Sequence, residues 1–300
     1  MTADVQQLVL ADGRVTARHH PAEPHDDAAI LVYLHGGASS AEEADVQLST
    51  AATVGHRGFS LQRPGYPGSA HLDIPGDADE GYYAESARLV DAAITELWQT
   101  YGAGSAGVVL VGCSVGSAIA FTVAAARGDG ADAAWPLLGV AAADIGHRPK
   151  PGVPELWNGT PVADRIDDVG PWIGELDFGP EWARYQTPGD GGPTSISRAE
   201  ALEYVGGWPR HALEVARAVR TPVFWRVSEF DPLWQQDAAS VAEFVAALQT
   251  SSPSVDGGVM LGASHAIHDG PRGRSWLFSV LAFADLCRTA ATTPQLFEPR

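Results

Sequence analysis

Lysine is nearly absent from this chain, Lys150 being the only one. Lysine and arginine together number 19 against 37 aspartates and glutamates, a formal net charge of −18 at pH 7. Nucleic acids and anionic membranes both select proteins with clustered basic side chains, which displace the counterions those surfaces hold. Neither is therefore expected as a partner, and the acidity is read as a source of solubility. Cysteine is scarce as well. Cys113 and Cys287 fall in buried-looking segments and read as reduced small hydrophobes with no disulfide framework. No apolar run approaches the roughly 18 residues that a membrane-spanning helix needs, because Asp, Glu, Gly or Arg interrupts each one. The start, Met1 to Val5, lacks the basic-then-apolar pattern of a secretory signal, so a cytoplasmic location is expected. Neither His19-His20 nor His265 with His268 belongs to a set with metal-ligand spacing, and no metal or other cofactor is expected.

What is present is an alternation of strand-like and helix-like segments, the pattern of a mostly parallel sheet with helices on both faces. The chain has 300 residues, 45% of them hydrophobic, enough for one large core. Leu8 to Leu10 and Val15 to Ala17 flank Asp12-Gly13, a dipeptide suited to a type I′ hairpin, so the first two strands are expected to be antiparallel. Ile30 to Leu34 is a continuous apolar run of the kind buried on both faces. Gly58 to Leu61 is a weaker strand, and Gly107 to Val111 reads as the central one. Leu137 to Ala143, Pro222 to Val227 and Val255 to Leu261 read as later strands. Tyr83, Ala87, Val90, Ile94 and Leu97 have helical spacing and place a helix over about 81–101. An Ala-rich helix follows Ser114, another carries Val241, Phe244, Val245 and Leu248, and the last, Trp276 to Leu286, is apolar nearly all round and expected to be largely buried.

Between about His147 and Arg220 the rhythm lapses into Pro- and Gly-interrupted sequence, with short helical hints at Arg198 to Tyr204 and Arg210 to Val219. Residues 147–220 are read as an inserted cap, and 1–146 with 221–300 as a core of about eight strands. Trp157, Trp172, Trp182 and Trp208 lie in this cap. They either pack it or wall an apolar pocket for an acyl or aromatic group.

The strongest chemical signal is Gly112-Cys113-Ser114-Val115-Gly116, set between the central strand and a helix. In that context G-x-S-x-G is a nucleophile elbow: a sharp turn exposes the serine hydroxyl, and glycines remove the Cβ atoms that would clash. A serine hydroxyl needs a base, and the base an orienting acid. His265, closing the last strand in Gly262-Ala263-Ser264-His265, is the favoured base, with His268 as rival. The acid is Asp231, Glu229 or Asp144, all near strand ends; Asp231 fits best because Pro232 suits the first turn of a following helix. His35-Gly36-Gly37 follows the first long parallel strand, where the Gly37 N–H, with that of Val115, would form an oxyanion hole. His35 itself is expected to hold that loop by a side-chain hydrogen bond.

Taken together, His35-Gly36-Gly37, Arg63-Pro64-Gly65-Tyr66-Pro67-Gly68-Ser69, the Ser114 elbow, Glu229-Phe230-Asp231 and Gly262-Ala263-Ser264-His265 resemble the α/β-hydrolase superfamily from end to end. The resemblance implies a Ser114, Asp231, His265 triad, oxyanion donors at Gly37 and Val115, and a cap over the site. Serine at the elbow excludes the branches that carry aspartate there. The expected activity is that of a serine hydrolase acting on an ester, thioester or lactone of a small-molecule acyl substrate. A lyase or C–C-bond-cleaving enzyme with the same residues, or a receptor built on the same fold, are the alternatives. The sequence leaves a homo-oligomer open.

Overall fold

The computed structural model describes residues 5–21, 24–75, 78–127, 134–153, 165–166 and 196–293. Its strands are β1 (Gln6–Leu10), β2 (Val15–His20), β3 (Ile30–Leu34), β4 (Arg57–Gln62), β5 (Val108–Cys113), β6 (Leu137–Ala143), β7 (Arg165–Ile166), β8 (Ile196–Ser197), β9 (Val223–Phe230) and β10 (Val255–Ser264). Eight of them form one sheet in the order β1-β2-β4-β3-β5-β6-β9-β10, while β7 and β8 pair separately. From β4 to β10 every neighbouring pair is parallel, and β1 and β2 add an antiparallel edge. The hairpin has the expected turn. Asp12 and Gly13 have φ of 55° and 84°, as a type I′ turn requires, and Arg14 N–H donates to the Ala11 carbonyl at 3.1 Å.

Helices α1 (Asp45–Thr53) and α7 (Gly273–Thr292) cover one face of the sheet. Helices α2 (Tyr82–Tyr101), α3 (Val115–Ala126), α4 (Arg198–Leu202), α5 (Trp208–Ala218) and α6 (Ala238–Leu248) cover the other. Side chains of a strand alternate between faces, so a strand covered on both sides must be apolar throughout. In β3, Ile30, Val32 and Leu34 join the core on one face and Leu31 and Tyr33 the core on the other.

The helix expected to open at Pro232 begins only at Ala238, where Asp237 caps it, and Asp231 sits instead in a non-helical turn. Three further features differ from the sequence reading. Helix α1 was not expected: only Gln47, Leu48 and Ala51 of it are buried, too few to show a helical period. It seats Leu48 over Gly58, where a Cβ would come within 2.7 Å of the leucine side chain. Helix α7 is not buried all round. Trp276, Val280, Ala284 and Cys287 face the sheet, but Phe278 and Leu286 are exposed, because a helix on the outer layer has only one covered side. Lastly, the two helical hints are one continuous segment, in which α4 passes through a π-helical turn, Glu203–Gly207, directly into α5.

Of the interval 147–220, the part from Ile196 to Val219 shares the main core with α2 and α3. It is clamped at two points. Glu200 pairs with Arg63 at 2.7 Å, both fully buried, and Glu203 accepts the Tyr83 N–H at 3.1 Å, capping α2 from outside. Both cysteines are free and buried. No helix of the described residues is long and apolar enough to cross a membrane.

Candidate active site

Strand β5 is buried along its whole length and meets α3 with a single residue between them, Ser114, at φ 51° and ψ −121°. The flanking glycines are what permit this turn. A Cβ on Gly112 would lie 2.5 Å from Ser117 Cα, and one on Gly116 would lie 2.0 Å from the Leu34 carbonyl oxygen. The G-x-S-x-G spacing is thus a packing requirement.

At the sheet's carboxyl edge, Ser114 Oγ lies 3.0 Å from His265 Nε2, and His265 Nδ1 lies 2.9 Å from Asp231 Oδ2. Asp231 follows β9 directly, and His265 follows β10. The second oxygen of Asp231 accepts the N–H groups of Leu233 at 2.8 Å and Trp234 at 3.1 Å. Such an Asx turn fixes a carboxylate by its own following backbone. Burial opposes protonation of His265, but the charge and hydrogen bond of Asp231 together with the charge of Asp144 hold the imidazole above the ordinary histidine value.

The rival residues have other partners. Asp144, at the end of β6 with φ 57°, accepts the Ser228 hydroxyl and, at 2.8 Å, the Ile267 N–H. It thereby ties down the loop that begins at His265, where Ala266 has φ 63°. Burial, with the charge of Asp231, pushes Asp144 up to about 6 against the opposing pull of His265. Glu229 accepts the Gly262 N–H at 2.7 Å, joining β9 to β10. His268 lies 3.0 Å from Glu43 and 2.8 Å from Asp269. Glu43, Cys113 and His268 present donor atoms within 4.8 Å of one another, beside a cavity of about 20 Å³. That is room for one water, and burial pushes the Cys113 thiol up to about 12.

Gly37 lies against the elbow: a Cβ there would be 3.5 Å from Val115 Cγ2. The Val115 N–H opens α3, where no intrahelical acceptor exists for it and the helix dipole favours negative charge. His35 holds the loop as expected. Its Nε2 accepts the Arg63 N–H at 3.1 Å, so Nδ1 carries the proton and donates to the Gly36 carbonyl at 2.8 Å. Burial and the neighbouring Arg63 keep His35 neutral, well below its ordinary pKa. Ala38, at φ 51°, donates its N–H to Tyr66 Oη at 3.1 Å. Arg63 Nη2 also donates to the Gly36 carbonyl at 2.9 Å, so one guanidinium links this loop to Glu200 on α4.

Two residues at the site went unflagged by the sequence. Tyr204, on the π-helical turn, places its hydroxyl 3.2 Å from Ser114 Oγ, and Trp234 Nε1 donates to that hydroxyl at 2.7 Å. Their only trace is a helical hint and a tryptophan three residues past Asp231. Trp208 is buried, spends its N–H on the Gly146 carbonyl at 2.7 Å and packs near the Tyr83 ring. Trp157, Trp172 and Trp182 lie outside the described residues.

No protein-family model matches the chain, and no curated protein matches it in sequence. Solved structures do match over nearly all of it. A thermostable carboxyl esterase from Bacillus coagulans superposes with a TM-score of 0.68 at 16% identity, covering 95% of this chain and 98% of the other. A soluble variant of monoglyceride lipase from Saccharomyces cerevisiae gives 0.67 at 12% identity, covering 96% of each. E-2-(acetamidomethylene)succinate hydrolase gives 0.62 at 19% identity, covering 94% of this chain and all of that one. The chain has the α/β-hydrolase fold.

Proposed function

We propose that this chain is a serine hydrolase that cleaves an ester, thioester or lactone through an acyl-enzyme on Ser114. The observation that carries this reading is the unbroken relay from Ser114 Oγ to His265 at 3.0 Å and from His265 to Asp231 at 2.9 Å. His265 Nε2 takes the serine proton as Oγ attacks the carbonyl carbon, and Asp231 holds the imidazole in the tautomer that leaves Nε2 free to accept. The charge that develops on the carbonyl oxygen is met by the Gly37 and Val115 amides. His265 then protonates the leaving group and activates the water that releases the acid. That solved neighbours include a carboxyl esterase and a thioesterase domain agrees with this chemistry.

The test is Ser114→Ala on a panel of activated esters, thioesters and lactones, with mass spectrometry of the wild-type protein during turnover. The variant is expected to fold normally and to lose far more than 99% of activity, since loss of a triad serine costs several orders of magnitude, roughly 10⁶ in the best-measured case. A variant that keeps more than about one-hundredth of activity sinks the assignment. Turnover with no acyl adduct on Ser114 points instead to lyase chemistry.

A further inference from the structure

Among the described residues Ser114 Oγ has two hydrogen-bond partners, and the relay uses only His265. The second is Tyr204, whose hydroxyl lies 3.2 Å from Oγ. Directions follow from what each group can give. An indole nitrogen only donates, so Trp234 Nε1 donates to Tyr204 Oη across 2.7 Å. His265 Nδ1 donates to Asp231, so Nε2 accepts the serine proton. With that proton committed, the serine oxygen meets Tyr204 through a lone pair, and the Tyr204 O–H donates to it. The chain of donors therefore runs from Trp234 to Tyr204 to Ser114 to His265 to Asp231, and all five residues are buried.

The tyrosine is held in place from several sides. Its ring stands edge-on to Trp234 with centroids 5.0 Å apart. One turn earlier Glu200 is locked to Arg63, and the adjacent Glu203 accepts the Tyr83 N–H. The π-helical turn Glu203–Gly207 inserts a wider turn where the side chain must face the elbow, a use such turns often have. Burial, with the charge of Asp231 adding to it, keeps the Tyr204 hydroxyl well above the ordinary tyrosine pKa, so it remains a donor throughout.

We propose that Tyr204 is a further catalytic residue, a donor to Ser114 Oγ that acts chiefly on deacylation. The proposal rests on the acyl-enzyme reading of Ser114. Only interactions that strengthen between ground state and transition state accelerate a step. Before acylation the serine oxygen is already a good acceptor, so the Tyr204 bond is present from the start and attack gains little from it. In the acyl-enzyme Oγ is an ester oxygen, a poor acceptor because its lone pair is delocalised into the carbonyl. Water then gives a proton to His265 Nε2 as its oxygen bonds to the acyl carbon, and that delocalisation ends. The C–Oγ bond breaks, its electron pair returns to Oγ, Nε2 passes the proton to Oγ, and the carboxylic acid leaves. Tyr204 keeps its own proton and strengthens its hydrogen bond as charge returns to Oγ.

The experiment is pre-steady-state hydrolysis of a p-nitrophenyl ester by the wild type, Tyr204→Phe and Trp234→Phe, with mass spectrometry of the protein at steady state. Tyr204→Phe keeps the ring and loses the donor. Its acylation rate is expected to stay within about threefold of wild type while deacylation slows about 10- to 100-fold, the loss of a hydrogen bond to a charged group. A stoichiometric burst, a KM that falls together with kcat, and acylated Ser114 at steady state are the signatures. Trp234→Phe, which only releases the tyrosine, should shift the same way by less. If Tyr204→Phe slows acylation and deacylation equally, or changes neither, Tyr204 has no such role. If neither the wild type nor Tyr204→Phe shows a burst or an adduct on Ser114, the acyl-enzyme reading fails and this proposal fails with it; a burst or adduct in the wild type with no greater accumulation in Tyr204→Phe overturns Tyr204 alone.

Discussion

The two sides of Ser114 are supported in different ways. On the sheet side, His265, Asp231 and Asp144 stand at strand ends, and the two carboxylates are fixed mainly by backbone N–H groups of the residues that follow those ends. On the helical side, Tyr204 is held by carboxyl side chains that reach remote parts of the chain, Glu200 to the Arg63 guanidinium and Glu203 to the Tyr83 N–H at the start of α2. A site can thus be half dictated by sheet topology and half by a few buried polar side chains. The first half is therefore expected to tolerate change in side chains outside the relay better than the second, which depends on each of its contacts.

The sharpest way to break this comparison lies within the sheet side. Asp231→Asn should lower kcat by a factor on the order of 10⁴, the effect of the wrong histidine tautomer in serine triads. Asp144→Asn, which keeps an acceptor for the Ile267 N–H, should cost about tenfold or less. Steady-state kinetics on one activated ester decides it, and a comparable loss from Asp144→Asn would move the acid to β6. Next in size is the helical side. Glu200→Gln leaves Arg63 buried without its counter-charge, a defect worth about 3–5 kcal/mol. Thermal unfolding should show a fall in Tm of roughly 5–15 °C, while an unchanged Tm would mean that the pair does not clamp α4.

The smallest effect is in pH, and it touches both sides at once. Burial raises Asp144 to about 6 and Glu203 to about 7. Each holds its proton in the folded state after the unfolded chain has released it, so the folded state binds more protons between about pH 4 and 7 and stability falls as pH rises through that window. The contribution is fully present below the unfolded carboxyl values and gone once pH has passed the folded ones. His265 runs the other way: in the proposed mechanism it must be neutral to act as base, so kcat/KM should climb with pH through a value above the ordinary histidine one. Urea unfolding and kcat/KM measured over the same pH series should give opposite slopes, and Glu203→Gln should flatten the upper end of the unfolding series only.

How much was legible follows the same division. The elbow and His265 could be read because a strand, a turn and a helix are each local in sequence and the functional residue sits at a fixed place in the junction. The sequence favours Asp231 over Glu229 and Asp144 because Pro232 suits the opening of a helix, but that helix begins only at Ala238, capped by Asp237, so this ground does not separate them. The distances to His265 do. Tyr204 carried no signal beyond a helical hint, because its position depends on Glu203 meeting a backbone N–H 120 residues away and on a widened helical turn that no residue pattern announces. Helix α1 was missed for want of apolar periodicity, and α7 was over-read because apolar residues on an outer helix can face solvent.

Among the described residues, seven non-glycine positions have positive φ, and Ala38, Ser114, Asp144 and Ala266 are four of them. Beside Ser114 itself, Ala38, Asp144 and Ala266 follow within two residues of Gly36, Ala143 and His265, each of which lies against Ser114. Residues held this way cost on the order of 1–3 kcal/mol each, so together they set against folding a sum comparable with the whole net stability of an ordinary domain, about 5–15 kcal/mol. Thermostability and catalytic geometry are therefore in competition at these four positions. Glycine at Ala38 or Ala266, which removes the strain and no side-chain hydrogen bond, would raise the melting temperature while loosening the loops beside Gly37 and His265.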